Sequence, residues 1–181
     1  MKSSFLLSLF ALIAALAGGQ NIAKLDSING FKIFKLGTSK NLYTDYLKNS
    51  HYNQATDTYS VEVGKYPSLG KAFGSDVSTV FLHFNGNDNL ETITIPYRLL
   101  PDNKNTDSAA IFKEARILLS EFGPASETSL NDLAFRYYRW NGKKTRLNLN
   151  IRSVTGTDGD YWYKEVVFQN NPQADDGKSV Q

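Results

Sequence analysis

The chain has 181 residues, of which 41% are hydrophobic, 13% aromatic and 21% charged, proportions of a single globular domain that exclude disordered and collagen-like chains. Its 20 Lys and Arg against 18 Asp and Glu leave a formal charge of +2, too weak a field to gather nucleic acid or an anionic membrane surface. The absence of cysteine removes disulfides, thiolate zinc sites, thiol nucleophiles, c-type haem attachment and lipidation of an N-terminal cysteine.

Lys2 precedes an apolar run from Phe5 to Ala17 broken only by Ser8, and small residues follow, the order of a secretory signal peptide. As a helix that run spans roughly 20 Å, short of the ~30 Å hydrocarbon core, so cleavage is expected rather than a permanent span. Ala15-Leu16-Ala17 fits cleavage after Ala17, and Ala17-Gly18-Gly19 fits cleavage after Gly19; both stay open. With residues 1–19 taken as the leader, the mature chain loses one basic residue, Lys2, and is close to neutral. It has no Asn-x-Ser/Thr acceptor and no disulfide staples, which points to a bacterial periplasmic or secreted protein that is not a lipoprotein.

In chain order, Phe31 to Leu36 reads as a first short strand. Leu36-Gly37-Thr38-Ser39 then opens a helix to about Asn49, with Leu42, Tyr43, Tyr46 and Leu47 on one face. Tyr59 to Val63 is a strand, and Val80, Leu82 and Phe84 alternate into the Gly86-Asn87-Asp88-Asn89 turn, from which Ile93, Ile95 and Tyr97 return as a hairpin. After a polar connector at residues 101–106, Ile111, Ala115, Leu118, Leu119 and Phe122 mark one face of an amphipathic helix over 107–122, with N-cap oxygens at 106–108 and a stop at Gly123-Pro124. Phe135 to Trp140 leads into Asn141-Gly142, the favoured pair for a two-residue type I′ turn, and Leu147, Leu149 and Ile151 alternate on the return. A further turn at residues 155–160 precedes an aromatic, β-branched strand from Tyr161 to Phe168.

The expected fold is therefore α+β: one domain over residues 20–168, built as two α-β-β-β repeats at about 29–100 and 106–168 that share one antiparallel sheet layer, with 169–181 as a disordered tail. Gly30-Phe31-Lys32, the Leu36-Gly37-Thr38-Ser39 helix start, Phe122-Gly123-Pro124 and Trp140-Asn141-Gly142-Lys143 resemble, in their order, small exported bacterial proteins with tandem helix-plus-sheet repeats of β-lactamase-inhibitor-protein-like architecture. The resemblance covers most of 29–168 and implies binding of proteins through an exposed sheet face. Those inhibitor domains carry disulfides that this chain lacks, so the inhibitory activity is not carried over.

No catalytic residue, metal ligand or cofactor is assigned. Ser68-Leu69-Gly70-Lys71 matches Ser-x-x-Lys, but Pro67 and Gly70 mark a turn rather than a helix start, and the companion Ser-Asp-Asn and Lys-Thr-Gly elements are imperfect at residues 75–77 and 144–146. Asn85, Asn87, Asp88, Asn89 and Glu91 bunch oxygen ligands, yet Leu90 and Pro96 stand where a calcium loop needs Gly and Glu. Asp158-Gly159-Asp160 reads as a turn, and His51 and His83 lack the spacing that puts two ligands on one helical face, so a zinc site would need them to meet in space.

The stronger feature is a surface. Opposite Leu147, Leu149 and Ile151, period-two alternation places Arg146, Asn148, Asn150 and Arg152 on one face, to which neighbouring strands add Phe81 and His83, Thr92 and Thr94, and aromatics including Trp140 and Tyr161. Rigid rings beside guanidiniums and amides are the composition of interface hot spots and of carbohydrate platforms; cross-strand pairing of aromatics is the plainer account of the same residues. The expected function is an exported binding module contacting a protein or envelope component through that face. A hydrolase or glycan-active enzyme with two carboxylates brought together by the fold is the alternative, and an assembly protein joined through strand edges a third.

Overall fold

Strict alternation along the strands and one strong amphipathic helix shape most of the molecule. The computed structural model describes residues 20–97, 100, 101, 108–129, 135–157 and 159–171; residues 1–19, where the leader is expected, all but the first residue of the connector expected at 101–106, Asp158 and the chain beyond 171 lie outside them. The elements are α1 (Ile22–Ile28), the two-residue strands β1 (Gly30–Phe31) and β2 (Phe34–Lys35), a 3-10 turn over Lys40–Tyr43 running into α2 (Thr44–Leu47), β3 (His51–Asn53) and β4 (Thr58–Glu62). Then come the small hairpin β5 (Lys71–Ala72) and β6 (Ser75–Asp76), followed by β7 (Thr79–Phe84), β8 (Leu90–Pro96) and β9 (Leu100–Pro101). The rest are α3 (Ser108–Ile111), α4 (Lys113–Phe122), β10 (Glu127–Ser129), β11 (Phe135–Asn141), β12 (Thr145–Gly156) and β13 (Gly159–Asn170).

The protein is mixed α+β, with one large antiparallel sheet in the order β3-β4-β7-β8-β13-β12-β11-β10 and β9 paired beside β13. Each half of that order holds four strands rather than three, because β3 and β10 are three-residue strands too short to show alternation in sequence. Gln169 and Asn170 belong to β13, where they pair with Arg146 and Thr145, so the ordered strand outruns the expected tail boundary. No helix among the described residues is long and apolar enough to cross a membrane.

One sheet face is the core. Val61, Val80, Leu82, Ile93, Ile95, Val166, Phe168, Leu147, Leu149, Ile151 and Trp140 are all buried on it, and Leu25 of α1 and Ala115, Leu118 and Phe122 of α4 close over them. The long helix expected over 107–122 is interrupted at Phe112, and Gly123, at φ 76°, ends it by returning its N–H to Leu119 O. Trp140 donates its indole N–H to the carbonyl of that same glycine at 2.9 Å, which ties β11 to the end of α4. The second expected helix begins instead as a 3-10 turn, whose tighter winding rotates Leu42 out to 71% exposure while Tyr43 is buried.

The turn between β11 and β12 differs from expectation. Asn141 pairs with Arg146, and Gly142 N–H donates to Thr145 O, so the two turn residues are Lys143 and Lys144. Asp26 of α1 causes the shift: its carboxylate accepts from the backbone N–H groups of Lys143 (2.8 Å), Lys144 (2.9 Å) and Thr145 (3.0 Å). A Cβ on Gly142 would lie 2.4 Å from Asp26 Oδ1, so glycine is required there for close approach of the carboxylate.

Candidate functional site

On the other face the register aligns side chains into rows. One runs His51, Ser60, Phe81, Thr94, Val167, Asn148, Arg139, Glu127 from one end of the sheet to the other. The adjacent row carries Asn53, Thr58, His83, Thr92, Gln169, Arg146 and Asn141, and on the opposite flank Glu165, Asn150 and Tyr137 align, then Tyr163, Arg152 and Phe135. Seven of the eight residues expected on this face are there: Phe81, His83, Arg146, Asn148, Asn150, Arg152 and, by alternation along β13, Tyr161. Trp140 is not. It faces the core at 1% exposure, opposite Leu147, and the rings that β11 presents on the open face are those of Phe135 and Tyr137. No described element packs over this face, since the helices and the β5–β6 hairpin bury their apolar residues on the other.

The face has two adjoining zones that meet at Tyr163 of β13. The first is aromatic and basic. Phe135 and Tyr137 have ring centroids 6.0 Å apart, the Arg139 guanidinium lies 5.4 Å from the Tyr137 ring, and that of Arg152 lies 4.6 Å from Tyr163. Phe135 is 38% exposed and Arg152 is exposed. The polar residues between them are bound to one another rather than free. Arg139 donates to Asn148 Oδ1 at 2.8 Å and to Glu127 at 2.7 Å, and Arg146 donates to Asn141 and Asn171 at 3.1 and 3.3 Å. Asn148, expected as an open donor, is buried beneath this ladder.

The second zone is a hollow of about 420 Å³ between the β3–β4 ribbon and β13, lined by His51, Asn53, Thr56, Thr58, Ser60, Phe81, Thr94, Tyr163 and Glu165. At the turn that closes the ribbon, Asp57 O meets His83 Nδ1 at 2.8 Å. Glu165 is the only acidic residue in this lining, and it is held in place: Asn150 donates to Oε1 at 3.0 Å and the Tyr163 hydroxyl to Oε2 at 2.9 Å. Burial, and after it the Glu165 carboxylate, push the Tyr163 phenol up to about 12. The two carboxylates expected of a hydrolase do not meet in this hollow.

The other candidate motifs have local partners. Lys71 pairs with Asp76 at 2.8 Å across the β5–β6 hairpin, and Asn85 Oδ1 caps its own turn by accepting from the N–H groups of Asn87 and Asn89. His83 Nε2 lies 3.5 Å from Glu91, while His51 sits at the edge strand; no cluster of three His, Asp or Glu that could hold a metal occurs among the described residues. Sequence reasoning missed a buried ion pair, Glu114 of α4 with Lys164 of β13 at 2.6 Å, on the core face. No protein family, curated protein or solved structure matches this chain.

Proposed function

We propose that the chain is an exported binding module that engages a protein or envelope component through the uncovered sheet face. The observation that carries this reading is the cluster of Phe135, Tyr137, Arg139, Arg152 and Tyr163, with Phe135 and Arg152 exposed and the other three half-buried, in which each guanidinium lies over a ring. Stacked arginines and rings are pre-organised: little rotamer freedom is left to lose on contact, and the ring area is released from water when a partner covers it. A purely structural use of the same rings does not require Phe135 to stay 38% exposed. The leader-like segment at 1–19 supports an envelope setting for that partner.

Photo-crosslinking from a benzoylphenylalanine placed at Phe135 or Tyr137 in the exporting host tests this. The reading requires a discrete adduct from both positions, absent from the same probe at Leu42, which is exposed on a different part of the molecule. Adducts equal at all three positions, or none at Phe135 and Tyr137, overturn it.

A further inference from the structure

The hollow beside the aromatic zone rests on the open-face reading and narrows it. Its hydrogen-bonding capacity has a particular balance. The hydroxyls of Ser60 and Thr94 and the ring nitrogens of His51 have no partner among the described residues, and the Asn53 amide uses only its oxygen, which accepts from Ala55 N–H. Each Glu165 oxygen accepts one bond and keeps a second lone pair. The wall thus offers groups that both donate and accept, one fixed anionic acceptor, and the Phe81 ring between Ser60 and Thr94.

Each class of ligand meets that wall differently. A phosphate or carboxylate would be set against Glu165. A purely apolar chain would strip water from the hydroxyls and return no bond, a cost of roughly 1–3 kcal/mol for each buried group. A neutral sugar has hydroxyls that donate and accept in turn and a C–H face that lies against a ring, and the immobilised Glu165 suits it as an acceptor for a hydroxyl, with its geometry set before binding. We propose that this hollow is a saccharide subsite, with Phe81 as the platform and Glu165, Ser60 and Thr94 as the hydroxyl-reading groups.

The test is a titration of the isotopically labelled mature chain with neutral oligosaccharides, chitotetraose and maltotetraose among them, followed by amide shifts in NMR spectra. The expected result is a saturable shift concentrated at Ser60, Phe81, Thr94 and Glu165, weakened about tenfold or more by Phe81→Ala and by Glu165→Gln in chains whose remaining spectrum is unchanged. Thr94→Val, which keeps shape and removes the hydroxyl, should weaken it as well. No saturable shift with any sugar, or affinity unchanged in both Phe81→Ala and Glu165→Gln, overturns the subsite. If sugars fail while the Phe135 and Tyr137 probes still trap a partner, the saccharide assignment falls alone. If sugars bind here while those probes trap nothing, the subsite stands and the aromatic zone loses its proposed partner.

Discussion

Replacing Lys164 by methionine probes how the covered side of the sheet is held. Lys164 and Glu114 are 4% and 1% exposed, with Nζ 2.6 Å from Oε2. Nζ also donates to Ala110 O at 3.0 Å, and the Ser75 hydroxyl donates to Glu114 Oε1 at 2.5 Å. Methionine preserves much of the stem's packing but leaves the Glu114 carboxylate buried with a single hydroxyl donor. An uncompensated buried charge of this kind costs about 3–5 kcal/mol. The double variant Glu114→Leu with Lys164→Met removes both ions and both desolvation penalties, so it should lie within about 2 kcal/mol of the parent despite the Ser75 and Ala110 groups left behind. Urea unfolding reads the difference. At a slope of about 1–3 kcal/mol per molar, the single variant's midpoint falls by roughly 1 M or more, and the cycle returns a coupling of about 2 kcal/mol or greater. A single variant costing less than about 1 kcal/mol, or a double variant as damaged as the sum of the singles, would refute the reasoning.

Asp26→Ala takes the acceptor from three backbone N–H groups of the β11–β12 turn and should destabilise by about 1–3 kcal/mol, with Asp26→Asn losing less; equal and negligible losses in urea would show that water replaces the carboxylate. Trp140→Phe should lower stability by about 1–3 kcal/mol through the lost indole volume and the lost bond to Gly123 O, yet leave crosslinking from Phe135 unchanged; a loss of crosslinking without a loss of stability would return Trp140 to the binding face. The Tyr163 phenol, raised by burial and by Glu165, should ionise near 12 in an ultraviolet titration, and Glu165→Gln should move it down only part of the way, because burial is the larger cause. Since its folded value lies above the ordinary tyrosine value of 10.0, its contribution to stability is complete below pH 10 and is lost as the pH rises toward 12. A Tyr163 that titrates with the exposed tyrosines contradicts the assignment.

Long alternations were readable because the core covers one sheet face: β7, β8 and the middle of β12 follow the expected pattern residue by residue. Parity alone also assigned Trp140, since either turn, at 141–142 or at 143–144, sets it on the side of Leu147. Placing it on the face of Arg146 and Asn148 ignored the period of two. The turn itself was not legible, because the residue that moves it, Asp26, lies 117 positions from Lys143 in sequence. Glu114 and Lys164 each break an apolar pattern, one between Ile111 and Leu118 on a helix face and the other two places before Val166 on a strand. Two charges out of pattern and opposite in sign are the signal that could have paired them. Exposed three-residue strands and the 3-10 start at Lys40–Tyr43 left no periodicity to read. In the site, alternation specified which residues share a face, whereas the bonding of Arg139 to Asn148 and of Arg146 to Asn141, which takes them out of the free donor set, depends on β11 and β12 meeting in register.

Oxidative footprinting of the isolated chain by hydroxyl radicals bears most directly on the proposed role. Phe135, Tyr137 and Tyr163 should be modified readily and Trp140, although intrinsically the most reactive ring type, should be spared. If Phe135 and Tyr137 prove as protected as Trp140 in the chain alone, the face is already covered and has no surface left to offer a partner.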